Sequence, residues 1–351
     1  MAGRERIAHI DVMKGIAILC VVAGHYLGGV PFLPTIIWSF HMPLFIFLNG
    51  YFFREGPVGQ RIKKSAKAYL KPYMIVWGLF FLADLAFALS NGNDAGNAAL
   101  VSLRSGLWAM ASETQKPCFV NNMPVVWFLA ALFVGNVLLA LVLKIRGRGW
   151  QFAVVSLLLA AAALQFRRFF LPLGLDFGVA FLFWLWIGFV FAKLMTGRGS
   201  SLAGFIDGRG GFAVCAIIWC LVLLVEGKTG RMYNICWLSF PLYGLELLGA
   251  LAGILTVWHI SRFIDGRIRW LSAPLQFLGR ASLWMLCVHA LEIKLFSGLL
   301  FDFSERLYGA APSVVCGLVR LVLDVALALL LRQLYKCIRK KVISDNYGSS
   351  C

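Results

Sequence analysis

Three ionisable residues in the first apolar stretch of the chain, Asp11, Lys14 and His25, have types and a spacing that could support chemistry. Lys14 and His25 are eleven residues apart, which is about three turns of an α-helix. Both side chains therefore leave the same helix face, about 16 Å apart along the axis. Asp11 lies one turn before Lys14 on that face. Ionisable groups within an apolar, membrane-length helix are costly and usually face a cavity or a partner helix.

His25 has the side chain best suited to catalysis, because an imidazole that titrates near neutral pH is the usual general base for a hydroxyl group. The structural alternative is a buried histidine that ties two helices together. Lys14 could bind a phosphate or simply pair with Asp11. A lysine near the start of the helix and a histidine deeper on the same face indicate a polar path into the protein. We therefore predict catalytic roles for Asp11 and His25.

The second apolar stretch, WSFHMPLFIFLNGYFFR at 38–54, carries His41, Pro43 and Asn49. Pro43 frees a backbone carbonyl and kinks the helix, which is tolerated where a neighbour or a cavity satisfies that group. His41 is a second catalytic candidate, with an interfacial polar residue as the alternative. Asn49 is a candidate for substrate binding.

The segment RIKKSAKAYLKPY at 61–73 holds the strongest run of positive charge. Lys64, Lys67 and Lys71 recur at i, i+3 and i+7, which predicts one shared helix face. Membrane topology or lipid headgroup contact is one interpretation, and a clamp for a phosphate-rich cofactor is the other. The predicted cofactor-binding residues are Lys14, Arg61, Lys63, Lys64, Lys67 and Lys71.

A later stretch, FLGRASLWMLCVHALEIK at 277–294, combines small and ionisable residues. Gly279 and Ser282 permit close approach of another helix. His289 and Glu292 are i, i+3 neighbours on one face, and we predict catalytic roles for both, with a structural ion pair as the alternative. Arg280 and Ser282 are candidates for substrate binding.

The motif inventory excludes several classes of enzyme. The nine cysteines form no C-x-x-C pair and no Cys/His cluster with metal-ligand spacing, so no metal site is predicted. Nucleophile elbows, HExxH, phosphate-binding loops and dinucleotide fingerprints are absent in any usable context.

Composition identifies the class of protein. The 351 residues are 60% hydrophobic and 14% charged, far from the balance of a soluble domain. A formal net charge of +17 fits the basic cytoplasmic loops of a membrane protein, so we predict a lipid bilayer and no nucleic acid as partner. The fold class is all-α.

Apolar segments long enough to cross a bilayer predict about ten transmembrane helices in a single membrane-embedded domain over 1–351, with no separate soluble domain. Placing both termini in the cytoplasm assigns most of the 33 lysines and arginines to cytoplasmic loops. The connection 91–123 is long, and its apolar middle, 100–110, could lie on the membrane surface or fold back as a lid. The predicted spans are 10–29, 32–53, 69–90, 124–143, 151–166, 174–195, 211–226, 236–259, 274–296 and 313–335.

Four of these stretches together resemble the acyltransferase family 3 membrane proteins, particularly the stand-alone members related to sugar O-acetylases. They are DVMKGIAILCVVAGH, FHMPLFIFLNGYFF, VVWFLAALF at 125–133 and LGRASLWMLCVH, in family order across nearly the whole chain. The family pattern of a basic residue, ten residues and a histidine corresponds here to Lys14 and His25. The family's Arg-x-x-Arg is replaced by Arg61-x-x-Lys64 and Lys64-x-x-Lys67.

The resemblance implies transfer of an acyl group, usually acetyl, from cytoplasmic acetyl-CoA to a hydroxyl of a carbohydrate or glycolipid acceptor, without a metal. It implies an integral, multi-pass protein of the bacterial cytoplasmic (inner) membrane that modifies polysaccharide of the cell envelope. His25 would act as general base or as acyl relay, and the basic residues would bind the CoA phosphates. Trp127, within the third of these stretches, is a further candidate for substrate binding.

On this hypothesis Arg280, Ser282, His289 and Glu292 line the outer half of the path, where the acceptor enters. The alternative from a different class is a secondary transporter or flippase for a polar or lipid-linked solute, in which the same groups relay protons. Paired broken helices are typical of transporters, and Pro43 is a single clear interruption. A purely structural membrane partner is the third alternative.

Overall fold

The computed structural model describes residues 7–27, 30–92, 94–112, 125–165, 174–197, 200–308 and 313–347. Within these ranges the chain is helical and contains no β-strand beyond one isolated bridge between Asn234 and Ser239, which confirms the all-α class. The helices are α1 Ala8–Tyr26, α2 Leu33–Tyr51, α3 Val58–Ser65, α4 Lys71–Ser90, α5 Ala95–Ser112, α6 Trp127–Val142, α7 Arg148–Gln165, α8 Leu175–Thr196, α9 Ser201–Asp207, α10 Arg209–Thr229, α11 Leu245–Arg267, α12 Arg269–Tyr308 and α13 Ser313–Tyr347.

Six of the described helical segments are long and apolar enough to cross a membrane. They are α1, α2, the continuous segment 58–90, α8, α10 and α11, and they agree with the interpretation as a multi-pass membrane protein. α6 and α7 are shorter apolar helices, while α12 and α13 extend well beyond the predicted 274–296 and 313–335. The count of ten spans and the cytoplasmic termini remain predictions.

The predicted eighth span, 236–259, is wrong at its start, because α11 begins at Leu245. The preceding residues form a folded loop, in which Leu238, Tyr243 and Gly244 have positive φ values of 42°, 56° and 101° that no helix can contain. Glu246 accepts hydrogen bonds from the backbone N–H groups of Leu242 and Gly244, the latter at 2.9 Å. The loop satisfies its polar groups inside the protein, which is why an apolar composition did not distinguish it from a membrane helix.

The long connection after α4 contains α5, which packs against α4. The apolar stretch 100–110 that we expected at the membrane surface or in a lid lies within α5. The rest of that connection, residues 113–124, lies outside the described residues.

α1 and α12 run side by side in close contact because glycines replace side chains where they meet. A Cβ atom at Gly15 would lie 2.1 Å from the carbonyl oxygen of Leu275, and one at Gly279 would lie 1.8 Å from that of Asp11. The rings of His25 and His289 are 5.1 Å apart further along, so the two helices are parallel. The expected role of Gly279 in close helix approach is confirmed.

Gly279→Ala should lower the unfolding free energy by about 3 kcal/mol, the upper part of the usual range for overpacking, because the added methyl group forces two helix backbones apart. Gly78→Ala in α4 is the matched control, since no atom lies within 4 Å of the position that the added methyl group would take and alanine favours a helix by about 1 kcal/mol over glycine. Melting temperatures in detergent compare the two, and equal temperatures would show that α1 and α12 separate at little cost.

Candidate active site

A cavity of about 1070 Å³ lies between α1, α2, α3, α6 and α12, large enough for a substantial organic ligand. Ten of the predicted site residues line this cavity, although they come from segments far apart in the sequence: Asp11, Lys14, His25, His41, Asn49, Arg61, Lys64, Trp127, Arg280 and Ser282. The other five predicted site residues do not line it: Lys63, Lys67, Lys71, His289 and Glu292.

One end of the cavity is basic. Lys14 lies 3.7 Å from the carboxylate of Asp11, one turn away, and 5.0 Å from the centre of the Phe52 ring. Arg54, Arg61, Lys64 and Arg280 line the same cavity. Among the described residues that line the cavity, one carboxylate, that of Asp11, accompanies five cations, so this basic end suits a ligand with several negative charges.

Arg280 was expected in the outer half, away from Lys14, and that placement is wrong. It follows Gly279, which touches Asp11, so its level along the bundle is that of the basic end. Its guanidinium also donates to Gln276 Oε1 at 3.3 Å. The parallel packing of α1 and α12 explains the difference, because both helices begin at the same end.

The basic residues of the segment 61–73 do not share one helix face. α3 ends at Ser65 and a π-helical turn follows over Ala66–Leu70. A π turn has an i→i+5 repeat, so the i, i+3, i+7 spacing of Lys64, Lys67 and Lys71 does not hold through it. Lys64 lines the cavity, whereas Lys63, Lys67 and Lys71 are exposed away from it.

Asn49, Asn136 and Tyr69 line the cavity wall between its basic end and its histidines and form a polar strip there. Asn136 Nδ2 donates to Asn49 Oδ1 at 3.0 Å and to Leu132 O at 2.8 Å. Asn49 Nδ2 donates to the Tyr69 hydroxyl. Tyr69 lies in the π-helical turn Ala66–Leu70, which places its hydroxyl beside Asn49. Sequence reasoning selected Asn49 and missed Asn136 and Tyr69.

The other end of the cavity carries two imidazoles, His25 and His41. The surface of His25 is open to the cavity. His41 is buried, and its Nδ1 lies 2.6 Å from the carbonyl oxygen of Ile37, to which it donates. That bond leaves Nε2 of the neutral ring as an acceptor. His25 is therefore the imidazole most accessible to a bound molecule.

A buried network stands behind His25 and includes His289 and Glu292. His289 Nδ1 donates to Asp324, and Glu292 accepts from the Tyr26 hydroxyl and, at 2.9 Å, from Arg320. The Arg320 guanidinium also lies 4.1 Å from the centre of the Tyr26 ring. His289 and Glu292 are not paired with each other, as their spacing suggested, but each pairs with a residue of α13.

His289 is 1% exposed, and its Nε2 has no hydrogen-bond partner in the described part of the chain. The His25 and His289 rings are tilted by 55°. The network therefore links the accessible imidazole to α12 and α13. From the sequence, Asp324 is expected to be hydrogen-bonded to another helix or to lie at the interface, and it is bonded to His289 of α12. Sequence reasoning missed Tyr26 and Arg320 and did not place Asp324 in the site, because no local spacing indicates a partner on a distant helix.

His289, Glu292 and Asp324 offer ligand atoms within 4.8 Å of one another, a grouping that could hold a metal ion. Each of the three already has a protein partner, and the Arg320 guanidinium occupies one side of Glu292. A cation there would compete with that guanidinium. The prediction of a site without metal stays a prediction.

Trp127 packs against Phe177 with ring centres 4.7 Å apart and also faces the cavity. Asn234, Ile235 and Cys236, from the loop before α11, line the cavity too. Burial raises the pKa of the Tyr233 hydroxyl in this loop, and the hydroxyl accepts a hydrogen bond from Trp184 Nε1 at 3.3 Å. Glu226 accepts from the Tyr233 backbone N–H at 3.0 Å, which fixes the loop over the cavity.

Residues 7–330 match a protein-family model described as an acyltransferase domain, the model of acyltransferase family 3. No curated protein and no solved structure matches the chain at a significant level.

Proposed function

The chain belongs to acyltransferase family 3, and we propose that this membrane protein transfers an acetyl group from acetyl-CoA to a hydroxyl group of a carbohydrate or glycolipid acceptor. One observation supports the proposal most strongly. A single cavity joins a basic end, suited to the phosphates of CoA, to an accessible imidazole about 16 Å further along α1.

In the proposed orientation the basic end faces the cytoplasm, where acyl-CoA is available. Both termini would then lie in the cytoplasm and the chain would cross the bacterial inner membrane about ten times. The positive charges of Arg54, Arg61 and Lys64 support this orientation, because basic residues collect on the cytoplasmic side.

In the proposed reaction His25 removes the proton from the acceptor hydroxyl. The oxygen then attacks the thioester carbonyl carbon, a C–O bond forms and the C–S bond breaks. The CoA thiolate leaves and takes up the proton from the imidazolium, so charge and protons balance. In the alternative course His25 Nε2 or Nδ1 first receives the acetyl group and passes it to the acceptor.

Two lysines of the basic run provide a test of the donor site. Lys64→Glu should weaken the binding of acetyl-CoA by about tenfold at low salt, because a phosphate-binding cation becomes an anion. The loss should shrink as salt is added. Lys71→Glu carries the same charge change outside the cavity and should leave the affinity within about twofold. Calorimetry on the purified protein in detergent measures both.

Equal losses of acetyl-CoA affinity in both variants would show that the lysines act through the overall positive potential of the segment rather than as a binding site. A well-folded wild-type protein that binds no acetyl-CoA would contradict the proposed function. The transporter alternative would then be examined by solute flux into proteoliposomes, since the buried Tyr26–His289–Asp324 network is also of the kind that relays protons.

A further inference from the structure

We propose that the polar strip formed by Asn49, Asn136 and Tyr69 is a binding subsite for the two amide groups of the pantetheine arm of acyl-CoA. The inference rests on the proposed function. It assigns a binding site to the part of acyl-CoA that lies between the phosphates and the thioester.

The position of the strip supports this assignment. Asn49 is three residues from Phe52, whose ring contacts Lys14, and eight residues from His41. It lies about 4.5 Å inside the basic end and about 12 Å from the histidine end. A donor anchored by its phosphates at the basic end must pass the strip before its thioester reaches His25.

The length of pantetheine fits the distance between the two ends. About twelve bonds separate its terminal phosphate oxygen from sulfur, as in an extended peptide of four residues, which spans about 14 Å. Lys14 and His25 are about 16 Å apart along the axis, so an extended arm can bridge them. The amide nearer the phosphates then falls about 5 Å inside the basic end, at the depth of Asn49, and the second amide follows about 5 Å further toward His25.

The hydrogen-bonding capacity of the strip also fits. Asn136 uses both amide hydrogens, on Asn49 Oδ1 and Leu132 O, which leaves its own carbonyl oxygen as an acceptor. Asn49 uses one hydrogen on Tyr69 and retains a second, while the Tyr69 hydroxyl retains its own hydrogen. The described strip thus offers one acceptor and two donors, enough for three of the four donor and acceptor groups that two amides carry.

The surroundings of the strip make these groups selective. Phe45, Leu129, Leu132 and Leu286 line the same cavity, and Asn136 is 4% exposed. A polar group in such a wall stays unsatisfied unless its ligand supplies a partner. A thioester without amides would therefore bind less well than one carrying them.

The test compares three acetyl donors that share a thioester: acetyl-CoA, S-acetylpantetheine without phosphates, and S-acetylmercaptoethanol without phosphates or amides. Asn136→Leu should raise KM about tenfold for the first two donors and leave KM for the third unchanged. Lys64→Glu should raise KM for acetyl-CoA alone. The different sets of donors affected by the two variants distinguish binding of the amides from binding of the phosphates.

Gln151→Leu is the matched control, because Gln151 is a buried amide that ties Trp186 to Ile145 outside the cavity. It should change stability without changing KM for any donor. Tyr69→Phe is a milder variant that removes a hydroxyl and keeps the ring, and it should raise KM for the two amide-bearing donors about threefold. It keeps the test decisive if Asn136→Leu does not fold.

Equal changes of KM for all three donors, or no change for the two with amides, would overturn the inference while the proposed function stands. Failure of the wild-type protein to use acetyl-CoA would overturn the proposed function and the inference together.

Discussion

His25→Ala is expected to reduce acyl transfer by at least about 100-fold, the lower range of what a positioned acid or base contributes. The loss should appear in kcat, because the imidazole lies at the end of the cavity opposite the basic residues that we propose hold the donor. Its surface is open to the cavity, so its removal costs little packing. The measurement is transfer of labelled acetyl from acetyl-CoA to acceptor, together with the melting temperature.

Two controls complete this experiment. Binding of acetyl-CoA to His25→Ala should stay within about threefold of wild type, since the cations that we propose bind its phosphates are unchanged. His9→Ala alters another histidine of α1, packed on Trp258 with ring centres 4.7 Å apart and outside the cavity lining, and should retain activity. Full activity of a folded His25→Ala protein would remove the central step of the mechanism.

Asp324→Asn is the variant with the second largest expected effect. The Asp324 carboxylate accepts from His289 Nδ1 and so keeps the proton on that nitrogen. An amide can instead donate to Nδ1 and stabilise the other tautomer. Because His289 contacts His25, we expect kcat to fall by about 10- to 100-fold, with KM for acetyl-CoA unchanged and an altered pH dependence of kcat.

On this hypothesis Asp324 is a positioning residue, so a control must separate loss of stability from loss of catalysis. Asp84→Asn is the matched control, because Asp84 is paired with Lys294 at 2.9 Å away from the cavity. It should leave kcat within about twofold, and Asp324→Glu should recover part of the activity by restoring a carboxylate. A pH profile identical to wild type in Asp324→Asn, with loss of melting temperature alone, would assign Asp324 to folding.

The parts of the site that lie on one regular helix could be predicted from sequence. The period of 3.6 residues places Lys14 and His25 on one face of α1, and both line the cavity. Apolar length likewise located most of the membrane-length helices. These features depend on local helix geometry, which can be predicted from the spacing of residues in the sequence.

The remaining features depend on contacts between distant segments or on irregular backbone. Asp324 meets His289 from another helix, and Asn136 meets Asn49 across 87 positions. The π turn over Ala66–Leu70 has no distinctive composition, so the common face of the basic run was an error. The loop before α11 was mistaken for a helix because its polar groups are satisfied by two buried carboxylates that spacing does not reveal.

In the loop before α11, the residues that fix the backbone differ from the residues that line the cavity. The loop backbone is fixed by Glu226 and Glu246, while Asn234, Ile235 and Cys236 line the cavity. The adjacent Met232 accepts a hydrogen bond from Thr35 at 3.1 Å, which places the loop near the end of α2 that carries His41. Substitutions at these three positions leave the basic end and the α1–α12 contact intact. On the proposed function, we therefore expect substitutions at these three positions to alter the choice of acceptor and to leave the affinity for acetyl-CoA unchanged.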